Sequence, residues 1–570
     1  MMSLKRPAAA HFSIQVRVQT VNFHAAALYF TSFYVRICTK IQYNLLHEPY
    51  GRKEHYSLFS KVNSAGIMGI EGYLVGVEAD VGNGLPGFSM VGYLAAEVRE
   101  ARDRVQTALK NSGFQLNARK ITINLSPADI RKDGTAYDLP IAVAVLAAFG
   151  TIRQDRLKDV VIAGELGLDG EVKEIHGSLS MALAAGKAGL SVCFFPKENV
   201  KEAKAAGNIR IIGVSCLKEL VELLNHPESI QEEAEVEQSW RERDYPQDFS
   251  EVNGQSVMRR ATEIAVSGMH NILYIGPAGT GKSMIAKRIP SIMPPLSREE
   301  SMEITKVYSV CGLLPKGEAL LTARPFRSPH HSITRQAMAG GGRVPKPGEI
   351  SLASRGVLFL DELPEFSSEV LELLRQPMED RKITISRLRG SWEFPADTMV
   401  AAAMNPCPCG YFPDRRRCRC SPDKIKKYLS KISGPLLDRL DICVEAAPVT
   451  YEMARQSRRN ESSGEIRKRV ETARNIQRER FTGTGIYFNS EMRRREIQNY
   501  CLLGKEEETF LKEQFYALRM SARSCDKILK VARTIADLDG TERIGLSHLC
   551  EAAGYRSLEE KYWGRSGDHE

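Results

Sequence analysis

A chain of 570 residues with 43% hydrophobic content is long enough for two to three domains with real cores. No apolar run reaches the ~18–20 residues of a membrane-spanning helix, which argues against a helical membrane protein and predicts a soluble, cytoplasmic one with no membrane partner. The formal charge of +9 is weak evidence for nucleic acid, because residues 1–57 hold seven Lys or Arg against Glu48 and Glu54, more than half of the excess.

Residues 1–58 read as a non-native or disordered extension, with no acidic residue before Glu48 and aromatics that follow no period. Residues 23–35 have the length of a signal core, yet they contain His24 and no clear cleavage site follows. The favoured account is a start assigned too early, with Leu58 as a non-AUG initiation codon and a product beginning Met-Phe-Ser-Lys.

Residues 59–222 are expected to form an α/β domain. The stretch 121–125 is strand-like, 141–149 is an apolar helix or strand, and 160–166 is again strand-like. An acid-rich stretch with little apolar content, 228–248, marks a solvated linker placed at 223–247.

The core predicted at 248–449 carries the strongest signal. Gly276, Pro277, Ala278, Gly279, Thr280, Gly281, Lys282 and Ser283 make a complete G-x-x-x-x-G-K-[ST] loop after the apolar run 272–275, with a helix-like stretch from Met284. Such a loop turns backbone N–H groups toward the phosphates of ATP, Lys282 adds a charge, and the Ser283 hydroxyl is a ligand for Mg²⁺. Further on, the apolar run 357–360 ends in Asp361 and Glu362. A strand buried on both faces reads this way, with Asp361 holding Mg²⁺ and Glu362 orienting or deprotonating water.

The strand-like stretch 399–404 ends in Asn405, placed to reach the γ-phosphate or the attacking water. Four cysteines follow directly, Cys407, Cys409, Cys418 and Cys420, in a loop with three prolines and the basic residues 415–417 and Arg419. Their C-x-C-x8-C-x-C spacing is tighter than usual C-x2-C pairs and admits a Zn²⁺ site, free thiols or a redox switch. The remaining cysteines among twelve are scattered, as in a reducing compartment. Arg439, in 433–441, and Arg523, at the head of a helix-like stretch, suit an AAA+ ATPase. There Arg439 is a finger acting on a neighbouring subunit's nucleotide and Arg523 the lid sensor, within a helical lid and tail at 450–570.

Several further motifs carry a resemblance. They are Gly-Ile-Glu-Gly-Tyr (69 to 73), Gly-Leu-Pro-Gly-Phe (84 to 88), Asn-Leu-Ser-Pro-Ala-Asp (124 to 129), Gly-Glu-Leu-Gly-Leu (164 to 168), Arg-Pro-Phe-Arg-Ser-Pro-His-His (324 to 331) and Leu-Asp-Glu-Leu-Pro-Glu-Phe (360 to 366). From Phe59 to about Trp563 the chain resembles the ComM/YifB family of magnesium-chelatase-like AAA+ proteins. The resemblance implies an AAA+ P-loop core, a parallel sheet with flanking helices, followed by a helical lid and preceded by a Lon-protease-like α/β domain.

It also implies a homo-oligomeric ring, expected to be hexameric, that uses ATP to translocate on single-stranded or branched DNA. The better-understood members of the family promote branch migration in natural transformation. The alternative is a magnesium-chelatase-like or generic remodelling ATPase acting on protein partners, although no D-x-S-x-S adhesion motif occurs in the chain. Lon-type proteolysis is not expected, since Ala136 stands where the nucleophilic serine would fall and residues 178–181 supply no lysine. Candidate DNA contacts are the stretch 330–349, with Gly340, Arg343 and Lys346, and a hairpin at 381–392. His330 and His331 lack an acidic or cysteine partner nearby in sequence and read equally as structural hydrogen-bonders or ligands.

Overall fold

The computed structural model describes residues 58–230, 245–387, 390–447, 460–517 and 520–564. The readings made for residues 1–57 and for most of the acid-rich linker lie outside them. Residues Leu58–Glu570 pack as one unit.

The first domain opens on a long antiparallel pair, β1 (Phe59–Met68) and β2 (Glu71–Gly82), followed by β3 (Gly87–Val91), helix α1 (Ala96–Asn111) and β4 (Lys120–Ser126). Alternation is clean in β4, where Ile121, Ile123 and Leu125 point inward. Helix α2 (Asp138–Ala148) resolves the ambiguity at 141–149: all eleven of its residues are buried, so no polar face marks it as helical. Its first residue, Asp138, is fully buried and held by the Arg104 guanidinium at 2.7 Å.

The single strand expected at 160–166 is broken. β5 (Val160–Ile162) joins the main sheet, whereas Glu165–Leu166 pairs with Val172–Lys173 in a separate ribbon. The backbone is diverted at Gly164, whose N–H donates to Ala136 and whose carbonyl accepts from Leu139 N–H. A Cβ there would meet Leu139 and Val172 at 3.0 Å, so the close approach needs glycine. Helix α3 (Ser178–Lys187) and strands β6 (Val192–Pro196) and β7 (Arg210–Val214) complete a seven-stranded sheet in the order β3-β4-β2-β1-β5-β6-β7. Helix α4 (Leu217–Asn225) runs past the boundary expected at 222, because Leu224 belongs to this domain's core.

The second sheet is the classical support for a phosphate loop. Helix α5 (Ser256–Gly268) leads into β8 (Ile272–Ile275), then α6 (Lys282–Ile292), α7 (Arg298–Val310), β9 (Phe326–Arg327) and β10 (Val357–Leu360). A hairpin of β11 (Lys382–Arg387) and β12 (Gly390–Pro395) precedes β13 (Met399–Met404) and β14 (Ile442–Glu445). The sheet is parallel throughout, in the order β9-β10-β13-β8-β14. Every residue of β8, β10 and β13 is buried, as covering both faces demands.

Helices α8 (Ser463–Arg480), α9 (Ala522–Leu538) and α10 (Ser557–Trp563) belong to the C-terminal region. Among the described residues it forms no separate core. Val470, Ile528 and Ile535 share one apolar cluster with Ile264, Ile285 and Phe359 of the sheet layer. The two ends of the ATPase segment are tied as well, since Phe249 N–H donates to Ser463 Oγ and Ser463 N–H to Asp248. The first domain docks through α7: Ser309 Oγ accepts from Gly177 N–H and donates to the buried Glu202 carboxylate, and Lys306 pairs with Glu71. Among the described residues no helix is long and apolar enough to cross a membrane.

Candidate nucleotide site

Sheet order assembles the site. β13 lies between β8 and β10, so Asn405, the phosphate loop and Asp361–Glu362 leave the carboxyl ends of three adjacent strands, where ligands bind in open α/β sheets. The loop turns through Gly279 and Gly281, both with left-handed φ near 80–90° (78° and 88°). Helix α6 begins at Lys282, two residues before the expected start, leaving its first N–H groups open to an anion.

Lys282 is only 8% exposed and its ammonium folds back on its own loop. It donates to the carbonyls of Gly276 at 2.6 Å and Pro277 at 2.7 Å, and to Asn405 Oδ1 at 3.3 Å. Burial lowers its pKa, against the pull of the Asp361 charge. Ser283 Oγ donates to Asp361 Oδ2 at 2.7 Å, while Asp361 Oδ1 accepts the Glu362 N–H at 3.0 Å. A hydroxyl and a carboxylate oxygen converging this closely are hard donors of the kind Mg²⁺ prefers, so the residues fit that ion.

Glu362 sits in the left-handed region, φ 54°, with its side chain 60% exposed. Its carboxylate has His331 Nδ1 3.7 Å away, and His331 stacks on His330 with centroids 4.0 Å apart. Along the sequence these histidines have no acidic neighbour close by. The structure supplies one from another segment, a relation that spacing along the chain does not encode.

The two arginines lie elsewhere. The Arg439 carbonyl accepts from Asn271 Nδ2 at 3.1 Å, and Asn271 immediately precedes β8. The phosphate loop follows the other end of that four-residue strand, about 13 Å away. Arg439 donates to the carbonyls of Arg375 and Pro435 and pairs with Glu379 at 2.6 Å, so its side chain is 12% exposed. Arg523 is exposed in the first turn of α9. One turn further along, Lys527 Nζ donates to Leu440 O at 3.1 Å and pairs with Asp441 at 3.2 Å. Both arginines thus stand at the edge of the sheet opposite their own chain's phosphate loop.

The cysteine loop packs on the site. Its four sulfurs lie within 4.8 Å of one another, Cys407, Cys418 and Cys420 are buried, and a Cβ on Gly410 would come 3.9 Å from Ala278 N and Asn405 Cγ. The Sγ separations, Cys407 to Cys409 at 3.3 Å, Cys407 to Cys418 at 3.7 Å and Cys409 to Cys418 at 3.6 Å, approach the about 3.8 Å edge of a tetrahedral zinc–thiolate site.

In the first domain Ala136 and Leu179 are both packed in one apolar cluster, so those positions offer neither a nucleophile nor an amine. The candidate DNA loops come together: Gly340–Gly341 pairs with Lys346–Pro347, Arg343 and Lys346 are exposed, and a Cβ on Gly341 would lie 3.6 Å from Arg387 of the hairpin. Arg381, at the base of that hairpin, is instead committed to Asp397 and Glu491.

The chain is similar to known proteins along most of its length. The family model described as magnesium chelatase, subunit ChlI, matches residues 248–454, a second ChlI model matches 77–199, and the ChlI C-terminal model matches 460–556. The chain is 40% identical over 508 residues to competence protein ComM of Haemophilus influenzae, covering 87% of this chain and 97% of that protein. It is 39% identical over 501 residues to the uncharacterized protein YifB of Escherichia coli, covering 88% and 97%. A shorter similarity, 30% over 139 residues, links 23% of the chain to 18% of the Lon protease of Mycolicibacterium smegmatis.

Proposed function

Because the chain belongs to the ComM/YifB family of magnesium-chelatase-like AAA+ ATPases, we propose that it is a cytoplasmic, ATP-hydrolysing, ring-forming motor that acts on DNA, a helicase or branch-migration enzyme of DNA uptake and recombination. The observation that carries the ring is the placement of Arg439 and Arg523 at the far edge of the sheet from their own phosphate loop. Neither Arg439 nor Arg523 reaches the ATP site that Lys282, Asp361, Glu362 and Asn405 build in its own chain, and a neighbour in a closed ring, taken as a hexamer, supplies Arg439 as finger and Arg523 as sensor. The lid-sensor role of Arg523 is thereby assigned across subunits.

ATP enters as substrate, its phosphates against the N–H groups of residues 276–283. Lys282 exchanges the carbonyls of Gly276 and Pro277 for phosphate oxygens. Ser283 and Asp361 would hold Mg²⁺, which would supply charge neutralisation to the phosphates. Glu362 takes the proton of the attacking water, and Asn405 orients that water or the γ-phosphate. The exposed loops carrying Arg343, Lys346 and Arg387 grip the sugar–phosphate backbone of a single-stranded or branched DNA.

Zinc is assigned to Cys407, Cys409, Cys418 and Cys420 as a structural ion that fixes the loop behind Asn405. Protein purified without added metal is expected to hold about one Zn²⁺ per chain, and a quadruple Cys→Ser variant none. Elemental analysis that finds no thiol-dependent zinc leaves the four as free or redox-active thiols.

The motor reading is tested by strand displacement on a labelled three-strand branched DNA, comparing the protein with its Lys282→Ala variant. Displacement that needs ATP and disappears in the variant is the expected result. ATPase activity indifferent to DNA, without displacement, would transfer the assignment to a remodelling or chelatase-like motor acting on protein.

A further inference from the structure

A cavity of about 690 Å³ opens between the end of α6, the start of α7 and the glycine-containing turn after α8. It lies at the edge of the sheet away from the phosphate loop, since Pro294 follows α6 and Arg355 precedes β10 in its wall. Its volume falls within the range of about 300–1,000 Å³ typical of small-molecule sites.

The charges around it are unevenly satisfied. Glu300 accepts from Arg324 at 3.2 Å and from Ser297 N–H, and Glu303 pairs with Arg355 at 2.8 Å. Asp397 is shared by Arg355 and Arg381, each at 2.6 Å. Glu491 is taken by Arg381 and by the Tyr487 N–H at 2.7 Å. Arg474, on α8, lines the cavity and has no hydrogen-bond acceptor or ion-pair partner among the described residues. Its guanidinium carbon lies 3.5 Å over the Phe488 ring, which holds it in place without using its N–H groups. Burial, with the Arg324 charge beside it, lowers its pKa, against the pull of the Glu300, Asp397 and Glu491 carboxylates, and the guanidinium stays charged. The side chain is half-buried, and an anion in the cavity would give its N–H groups the acceptor that the described residues do not supply.

The surroundings narrow the kind of anion. Arg478, one turn along α8, also lines the cavity and, among the described residues, its side chain bonds only Asn475 Oδ1 at 3.3 Å. Tyr487, 63% exposed, adds an aromatic face at the rim, and Gly483 and Gly485 turn the rim backbone through left-handed φ values. We propose that this cavity is a second nucleotide-phosphate site, distinct from the phosphate loop, in which Arg474 and Arg478 hold the phosphate and Tyr487 stacks on the base. The nucleotide is either free or a unit of a DNA strand, and the inference does not depend on the motor reading.

The test uses the full chain carrying Lys282→Ala, so that the phosphate loop does not dominate, and 8-azidoadenosine 5′-monophosphate as photoprobe. Labelling is expected on the peptide containing Tyr487 and Phe488. It should fall about tenfold or more in Arg474→Gln and by a smaller factor in Arg478→Ala, in line with the loss of charge-assisted hydrogen bonds. Competition by adenosine monophosphate but not by single-stranded oligonucleotide supports the free nucleotide, and competition by the oligonucleotide supports the strand. Absence of label on that peptide overturns the site. If Arg474→Gln lowers the melting temperature, Arg478→Ala decides, and unchanged labelling in that variant overturns the proposal.

Discussion

Replacing Glu362 with glutamine is expected to cut ATP turnover by about 10²–10⁴-fold and to leave ATP bound. The amide keeps the volume and loses the base. Little else should change: the side chain is 60% exposed, its backbone N–H still donates to Asp361, and Lys282 and Ser283 are untouched. Substitutions at such exposed positions shift stability by only about 0.5 kcal/mol. Retention of labelled ATP measured beside steady-state turnover separates the two effects. Turnover within a few-fold of the parent protein would remove Glu362 from the role of base and leave its proximity to His331 as a surface contact. Nucleotide lost together with turnover would mean that the carboxylate serves binding instead.

The elements that position this site were the easiest to read in the sequence, and the reason is burial. Residues 272–275, 357–360 and 399–404 are strands covered on both faces, so each is an unbroken apolar run with a polar functional residue at its end. The same complete burial obscured Asp138–Ala148, where a helix enclosed on every side shows no 3.6-residue period. The stretch 160–166 was misread because its break is made by backbone pairing of Gly164 with Ala136 and Leu139, a contact between distant segments. Helix α4 crosses the domain boundary expected at 222 for the related reason that Leu224 is needed in a core assembled from elsewhere.

Within the candidate site, residue types are legible where a local motif fixes them, whereas relations between segments are not. Lys282 reaches Asn405, and Ser283 reaches Asp361. The proximity of His331 to Glu362, and the common edge shared by Arg439 and Arg523, exist only once the sheet order is known. The cysteine spacing was ambiguous on its own. In three dimensions the four sulfurs converge, in a loop whose Gly410 lies beside Ala278 and Asn405.

Arg439→Ala is expected to lower turnover by about 10³–10⁵-fold, the range for loss of an arginine finger, with ATP binding nearly intact. The sharper experiment mixes it with Lys282→Ala. Each variant alone has no complete site, because one lacks the arginine and the other lacks the phosphate-binding lysine. In rings assembled from equal amounts of both, about one interface in four joins an intact loop to an intact arginine if subunits mix at random, and activity should return to a matching fraction. If Arg439 served its own subunit, no such interface would form and mixed rings would stay inactive. Arg439 also ties Arg375, Pro435 and Glu379 together, so the melting temperature of the variant must be followed. Recovery on mixing is itself the control for that role, since a subunit that had unfolded could not donate its phosphate loop. The Glu379 pair adds a requirement of its own: the guanidinium must leave Glu379 to reach a neighbouring phosphate, so ring closure and release of this ion pair should occur together.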